Sequence, residues 1–175
     1  MIDWASLDIV RDTASYTSHG HTSQGGDPIA RAALIEILGP EEIARMVRLY
    51  VASDPCAQVV RSVLWMLKPE GAAKECLRLY NESGDAQCRR SAIQLFRVVA
   101  SAELVAWLPT FWEDPDTQIQ HWGASWLDQL VVRGELSAEE AEPWIQRAER
   151  HTSSSVRRMA AMIREELARG SRAPR

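Results

Sequence analysis

A chain of 175 residues that is 46% hydrophobic and 25% charged is long enough to bury a core, and it has the composition of an ordinary soluble globular protein. Its formal net charge of −4, with a sequence pI near 5.6, argues against a protein whose main task is gripping a phosphate backbone, although a local basic groove stays open. The odd set Cys56, Cys76 and Cys88 contains no CxxC pair; it reads as free thiols in a reducing cytoplasm and gives no support to a zinc or redox site. No basic region followed by an apolar run opens the chain, and no stretch approaches the ~18 uninterrupted apolar residues of a membrane span. The expectation is a cytoplasmic protein without metal or cofactor.

In chain order, residues 2–14 predict a short helix with Trp4, Leu7, Ile9 and Val10 as its apolar residues. A Gly- and Ser-rich loop follows at about 16–26. Its His19 and His21 have no further ligand at a fixed spacing and make a poor metal site. Asp27-Pro28 then opens a helix that Gly39 closes. Pro40 opens the next, with Ile43, Met46, Val47, Tyr50 and Val51 at helical spacing on one face. Asp54-Pro55 starts a third, through Val59, Val60, Val63, Leu64 and Leu67. Pro69-Glu70 starts a fourth, carrying Ala73, Cys76, Leu77 and Tyr80 to Gly84. Asp85 opens a helix with Ala92, Leu95 and Phe96 inward. Leu104, Trp107, Leu108 and Phe111 share one face of the next, which starts near Ser101. Asp116 leads into Ile119, Gly123, Trp126 and Leu127. Ser137 and Glu140 have capping-box spacing, and a last helix from about Ser153 to Ala168 turns Val156, Met159, Ala160, Ile163 and Leu167 inward. Residues 170–175 should fray. No segment alternates as a strand would.

The pattern repeats. Asp27, Asp54, Asp85, Asp116 and Ser153 each begin a similar run, at separations of 27, 31, 31 and 37 residues. Residues 46–50, Met-Val-Arg-Leu-Tyr, match residues 76–80, Cys-Leu-Arg-Leu-Tyr, on the other helix of the pair. A drifting period of this size is the mark of stacked helical hairpins. The expected fold is therefore all-α, an α-solenoid of about five antiparallel hairpins in a single domain over residues 1–175.

The run Asp-x-x-(Ala/Cys/Ile)-(Arg/Gln)-x-x-(Ala/Leu/Gly) resembles the inner helix of HEAT repeats, and Pro109 and Pro143, late in outer helices, resemble the proline that bends the family's outer helix. The resemblance covers roughly residues 27–168. It implies a ladder in which Asp27, Asp85 and Asp116 bond Arg31, Arg89 and Arg157 of neighbouring repeats. Gln58 and Gln120 depart from the basic position, and Ser153 from the acidic one.

Inner helices of such arrays line the surface that binds partners. The positions left outside the apolar stripe are Gln58, Arg61, Ser62 and Trp65, then Arg90, Gln94 and Arg97, then His121, Trp122, Ser125 and Asp128, and finally Arg157, Arg158 and Arg164. Arg and Trp dominate binding hot spots, so the expected partner-binding set is Arg61, Trp65, Arg90, Gln94, Arg97, His121, Trp122, Asp128 and Arg158. His121 has no Cys or Ser in a nucleophile motif beside it, and Glu139, Glu140 and Glu142 are accounted for by the helix macrodipole, so catalysis is not expected. The expected function is a monomeric protein-binding module, similar in kind to the small, acidic immunity proteins that neutralise toxins by direct binding. An alternative is a nucleic-acid binder similar to HEAT-like alkylpurine DNA glycosylases, with Trp122, Trp126, Asp128 and Arg90 in a groove. A likeness to phycobilisome-lyase-type repeat proteins extends only to the repeat.

Overall fold

The computed structural model describes residues 28–170, and these residues are helical with no strand among them. The helix expected over 2–14, the loop at 16–26 with its two histidines, the Asp27 cap and the tail beyond 170 lie outside the described residues. The chain groups into two compact units that divide between Ala100 and Ser101, and each is described by itself.

In the first unit, α1 (Pro28–Val51) is interrupted at Gly39, whose φ of 70° and ψ of 166° are not helical. A left-handed φ strains any residue with a Cβ, so glycine stands there, and Pro40 restarts the helix because its missing N–H is not needed in a first turn. The two expected helices are thus joined without a loop. The second half buries Ile43, Met46, Val47 and Tyr50. Asp54 Oδ1 accepts a hydrogen bond from Cys56 N (3.0 Å) and sets up α2 (Ala57–Leu67), which buries Ala57, Val60, Val63, Leu64 and Leu67. Lys68, at φ 44°, and the following Pro69 stop it. Next, α3 (Glu70–Glu82) buries Ala72, Ala73, Cys76, Leu77 and Tyr80. Asp85 caps α4 (Ala86–Val99), its carboxylate accepting from Gln87 N (3.4 Å) and Cys88 N (2.8 Å). Helix α4 is the most enclosed element of this unit: Ile93, Leu95, Phe96, Val98 and Val99 are buried, each worth about 2 kcal/mol relative to exposure. Helix α1 pairs with α2 and α3 pairs with α4; α1 also touches α3 and α4, and α2 touches α4.

In the second unit the helix expected from Ser101 is instead a 3-10 helix (Ala102–Trp107) that passes into a short α5 (Leu108–Trp112). Pro109 sits in the first turn of α5, where its missing N–H is not needed, rather than late in a longer helix. Asp116 caps α6 (Thr117–Val132) through Gln118 N (2.9 Å), and the buried Asp114 holds Asp116 N (2.8 Å). Ser137 and Glu140 form the expected capping box at the start of α7 (Ala138–Glu149), which continues through Pro143. The last helix is α8 (Ser154–Gly170). Helix α5 packs on α6, α7 on α8, and α6 on both α7 and α8. Gly123 marks the crossing of α5 and α6: a Cβ there would lie 2.7 Å from Phe111 Cβ.

Candidate functional site

Within the first unit the expected binding residues form two narrow strips. On α2, Gln58, Arg61, Ser62 and Trp65 recur at i, i+3, i+4 and i+7, and none of them is buried. Trp65 is 44% exposed, unusual for an indole. On α4, Gln87, Arg90, Gln94 and Arg97 fall at i, i+3, i+7 and i+10 on the one side that the core leaves open. The packing of α2 on α4 brings the strips together at Tyr50, Arg61 and Arg97. Burial lowers the pKa of the Arg97 guanidinium and the nearby Arg61 cation lowers it further, with Tyr50 opposing. Burial pushes the Tyr50 hydroxyl up, and the two arginines pull it back.

Charge is sorted between the helices of this unit. Helices α2 and α4 carry Arg61, Arg89, Arg90 and Arg97 and no Asp or Glu. Asp54 and Asp85 stand at the starts of α2 and α4; the unit's glutamates lie on α1 and α3, several of them in ion pairs: Glu42 with Arg45, Glu70 with Lys74, and Glu75 with both Arg48 and Arg78. Glu75 is buried. Its Oε1 accepts from Arg48 Nη1 (2.9 Å) and Arg78 Nη2 (2.8 Å), and its Oε2 from Arg78 Nε (2.7 Å). Arg78 is the main cause that holds this carboxyl below the usual range; burial opposes it and Arg48 assists. Arg48 and Arg78 are the matched arginines of the two five-residue runs. The repeat therefore supplies a link between α1 and α3 that sequence reasoning missed, although Glu75, three residues before Arg78, was a signal for it.

Of the residues named for an Asp–Arg ladder, several have other contacts in view. Asp85 and Asp116 cap their own helices, Arg89 lies over the Tyr80 ring at 5.2 Å, and Arg157 donates to the carbonyls of His151 (2.7 Å) and Thr152 (2.6 Å). Asp27, the remaining acid, is outside the described residues.

The second unit distributes its candidates differently. His121 Nδ1 and Ser155 Oγ share a hydrogen bond of 3.2 Å between α6 and α8, and the His121 ring lies 5.1 Å from that of Trp122. Asp128 is partly buried; burial raises its carboxyl, and the Glu166 charge adds to that. Arg158 is exposed on α8, whereas Arg164 is held by Glu142 and Glu149 of α7. Ser125 is buried, so it presents no binding surface. Trp126 is fully buried with its ring set edgewise to Phe111, and so it offers no face for a base to stack on.

Among the described residues, no three His, Cys, Asp or Glu side chains converge to hold a metal ion, and no helix is long and apolar enough to cross a membrane. Cys56 and Cys76 are buried free thiols, and burial raises the Cys76 pKa far from a nucleophile's range. Comparison with protein-family models, with curated proteins and with solved structures gives no match.

Proposed function

We propose that the chain is a HEAT-like α-solenoid protein that binds another protein and performs no chemistry on it. The observation that carries this reading is the pair of strips on α2 and α4: Arg61, Trp65, Arg90, Gln94 and Arg97 lie outside the core although a helical pair of this size has ample apolar residues to bury. Supporting it, hairpins pair in chain order within each unit, and second members pack on second members, α2 on α4 and α6 on α8. Arg and Trp on rigid helices give large contact energy for little loss of side-chain freedom. In its narrower form the proposal is an immunity-type inhibitor that blocks a toxin domain by direct binding, with His121, Trp122, Asp128 and Arg158 as further contacts from the second unit.

The test is co-expression of the tagged chain with the product of the adjacent gene. Co-purification of the two, with growth protected against that product, is the expected result. Recovery of the chain alone, with no neutralisation, overturns the inhibitor reading.

A further inference from the structure

The second unit's surface also carries information about what it binds, and this inference rests on the protein-binding reading above. On α6, His121, Ser125, Asp128 and Val132 recur at i, i+4, i+7 and i+11; on α8, Ser155, Met159, Met162 and Glu166 do the same. Each set is one stripe along its helix. The helices pack together, and the stripes meet where His121 bonds Ser155 and again where the Glu166 charge lies close enough to act on Asp128. They therefore run side by side in the same direction and border one surface. Met162 stands one turn before Glu166 and is 53% exposed; Val132 stands one turn after Asp128 and is 64% exposed. Two large apolar side chains left in water thus flank two carboxylates.

Asp128 is partly buried, the charge acting on it is another carboxylate, and no cation pairs with it among the described residues. Glu166 keeps Arg169, which also reaches Glu165. A carboxylate drawn out of water beside a like charge costs free energy, which a cation set against it offsets. The unit around it is acidic, with seven Lys and Arg against twelve Asp and Glu between residues 101 and 170, and that field draws a basic partner.

We infer that the α6/α8 surface docks an amphipathic helical segment of a partner protein, with one basic side chain set against Asp128 and an apolar side chain a turn to either side, on Met162 and on Val132. A helix presents such a series at i, i+4 and i+7, and the unbranched Met159 and Met162 adapt to the shape of what lies on them. A nucleic acid is repelled by the same carboxylates.

The experiment titrates the full chain with a fluorescein-labelled amphipathic helical peptide of leucine and lysine, and separately with the same peptide carrying glutamate for lysine, at low and at physiological salt. Asp128→Asn removes the charge, Met162→Gln removes the apolar contact, and Glu139→Gln removes an exposed carboxylate of α7 as a control. Urea unfolding of each variant reports folding, and sedimentation of the chain alone reports self-association. The expected result is salt-sensitive binding of the lysine peptide that weakens at least about tenfold in Asp128→Asn, less in Met162→Gln, and little in the control. The urea midpoint of Asp128→Asn stays level or rises, because the free chain loses a like-charge contact and no ion pair. Five outcomes overturn the inference: no binding of the lysine peptide at low salt, equal binding of the glutamate peptide, equal loss in the control, a lower urea midpoint in Asp128→Asn, or self-association that Met162→Gln abolishes. A cellular partner captured by the chain whose binding ignores Asp128 and Met162 leaves the protein-binding reading standing and removes this one.

Discussion

The two units answer the same sequence pattern in opposite ways. Counting from the capping aspartate, Asp85 in the first unit and Asp116 in the second, the seventh residue on is Ala92 in α4 and Gly123 in α6, and the tenth is Leu95 and Trp126. Ala92, Leu95 and Trp126 are fully buried, and Gly123 lies on the core side of its helix. The first unit fills its core with aliphatic side chains of ordinary size and sends arginines outward from α2 and α4. The second packs Phe111, Trp112 and Trp126 together, needs a glycine where α5 crosses α6, and commits Arg157 and Arg164 to contacts within α8 and its neighbouring turn and helix. The lesson is that the shared sequence pattern marks which positions of α4 and α6 are inside, whereas what is put outside is chosen separately in each helix.

The comparison breaks most severely at its shared buried positions. Leu95→Asp places an unpaired carboxylate where no water reaches, a cost above about 4 kcal/mol and a large share of a small domain's whole stability. The expected outcome is loss of helical circular dichroism and of a cooperative melt. A Leu95→Asp protein that melts cooperatively within a few degrees of the parent would show that α4 is not a core element of the first unit.

A smaller change sharpens the contrast at the seventh position. On an exposed helix, alanine is favoured over glycine by about 1 kcal/mol. Gly123→Ala, however, brings a methyl to 2.7 Å from Phe111 Cβ, a backbone-proximal atom that cannot swing aside, and Trp112 closes the same space at 3.4 Å. Overpacking of this kind costs about 1–3 kcal/mol, so net destabilisation is expected, read as a lower midpoint in urea. A higher midpoint would mean that α5 and α6 separate at no cost.

Most of the helical architecture was legible in the sequence because it depends on local chemistry. Prolines at helix starts, Gly39 at a left-handed turn and Asp85 and Asp116 at caps are all effects within a few residues of one another. The start of α5 was within reach of the same reasoning, since Pro109 favours a helix's first turn. The expected binding residues were legible as surface where the apolar stripe is narrow, as on α2 and α4. They were less so on α6, where Ser125 is buried and Trp126 belongs to the core. What periodicity does not mark is the division at Ala100, because the 31-residue spacing runs through it unchanged. Nor does spacing alone show that Asp85 and Asp116 cap their own helices, because that depends on the geometry of each first turn.

The least change in stability is expected from the ion pairs, and there the units can be separated by acid. Arg164, assisted by Gln146, holds the Glu142 carboxyl down to about 2. Arg78 lowers the Glu75 carboxyl, against burial and with help from Arg48. Both folded values lie below the unfolded carboxylate value of about 4.3, so the unfolded chain binds more protons than the folded one as acid is added. Each pair therefore contributes fully above about pH 5, and its contribution falls away as pH drops through the unfolded value towards the folded one. Glu75→Gln and Glu142→Gln should each lower the thermal midpoint near neutral pH and flatten its fall in acid. The side chain of Glu75 is 9% exposed and that of Glu142 is 38% exposed, which orders the two: the flattening is greater at Glu75, and added salt, which screens exposed charges first, erodes the Glu142 effect before the Glu75 effect. Equal sensitivity to salt at the two sites would show that water reaches Glu75 as freely as Glu142, and that the contacts between α1 and α3 do not exclude it.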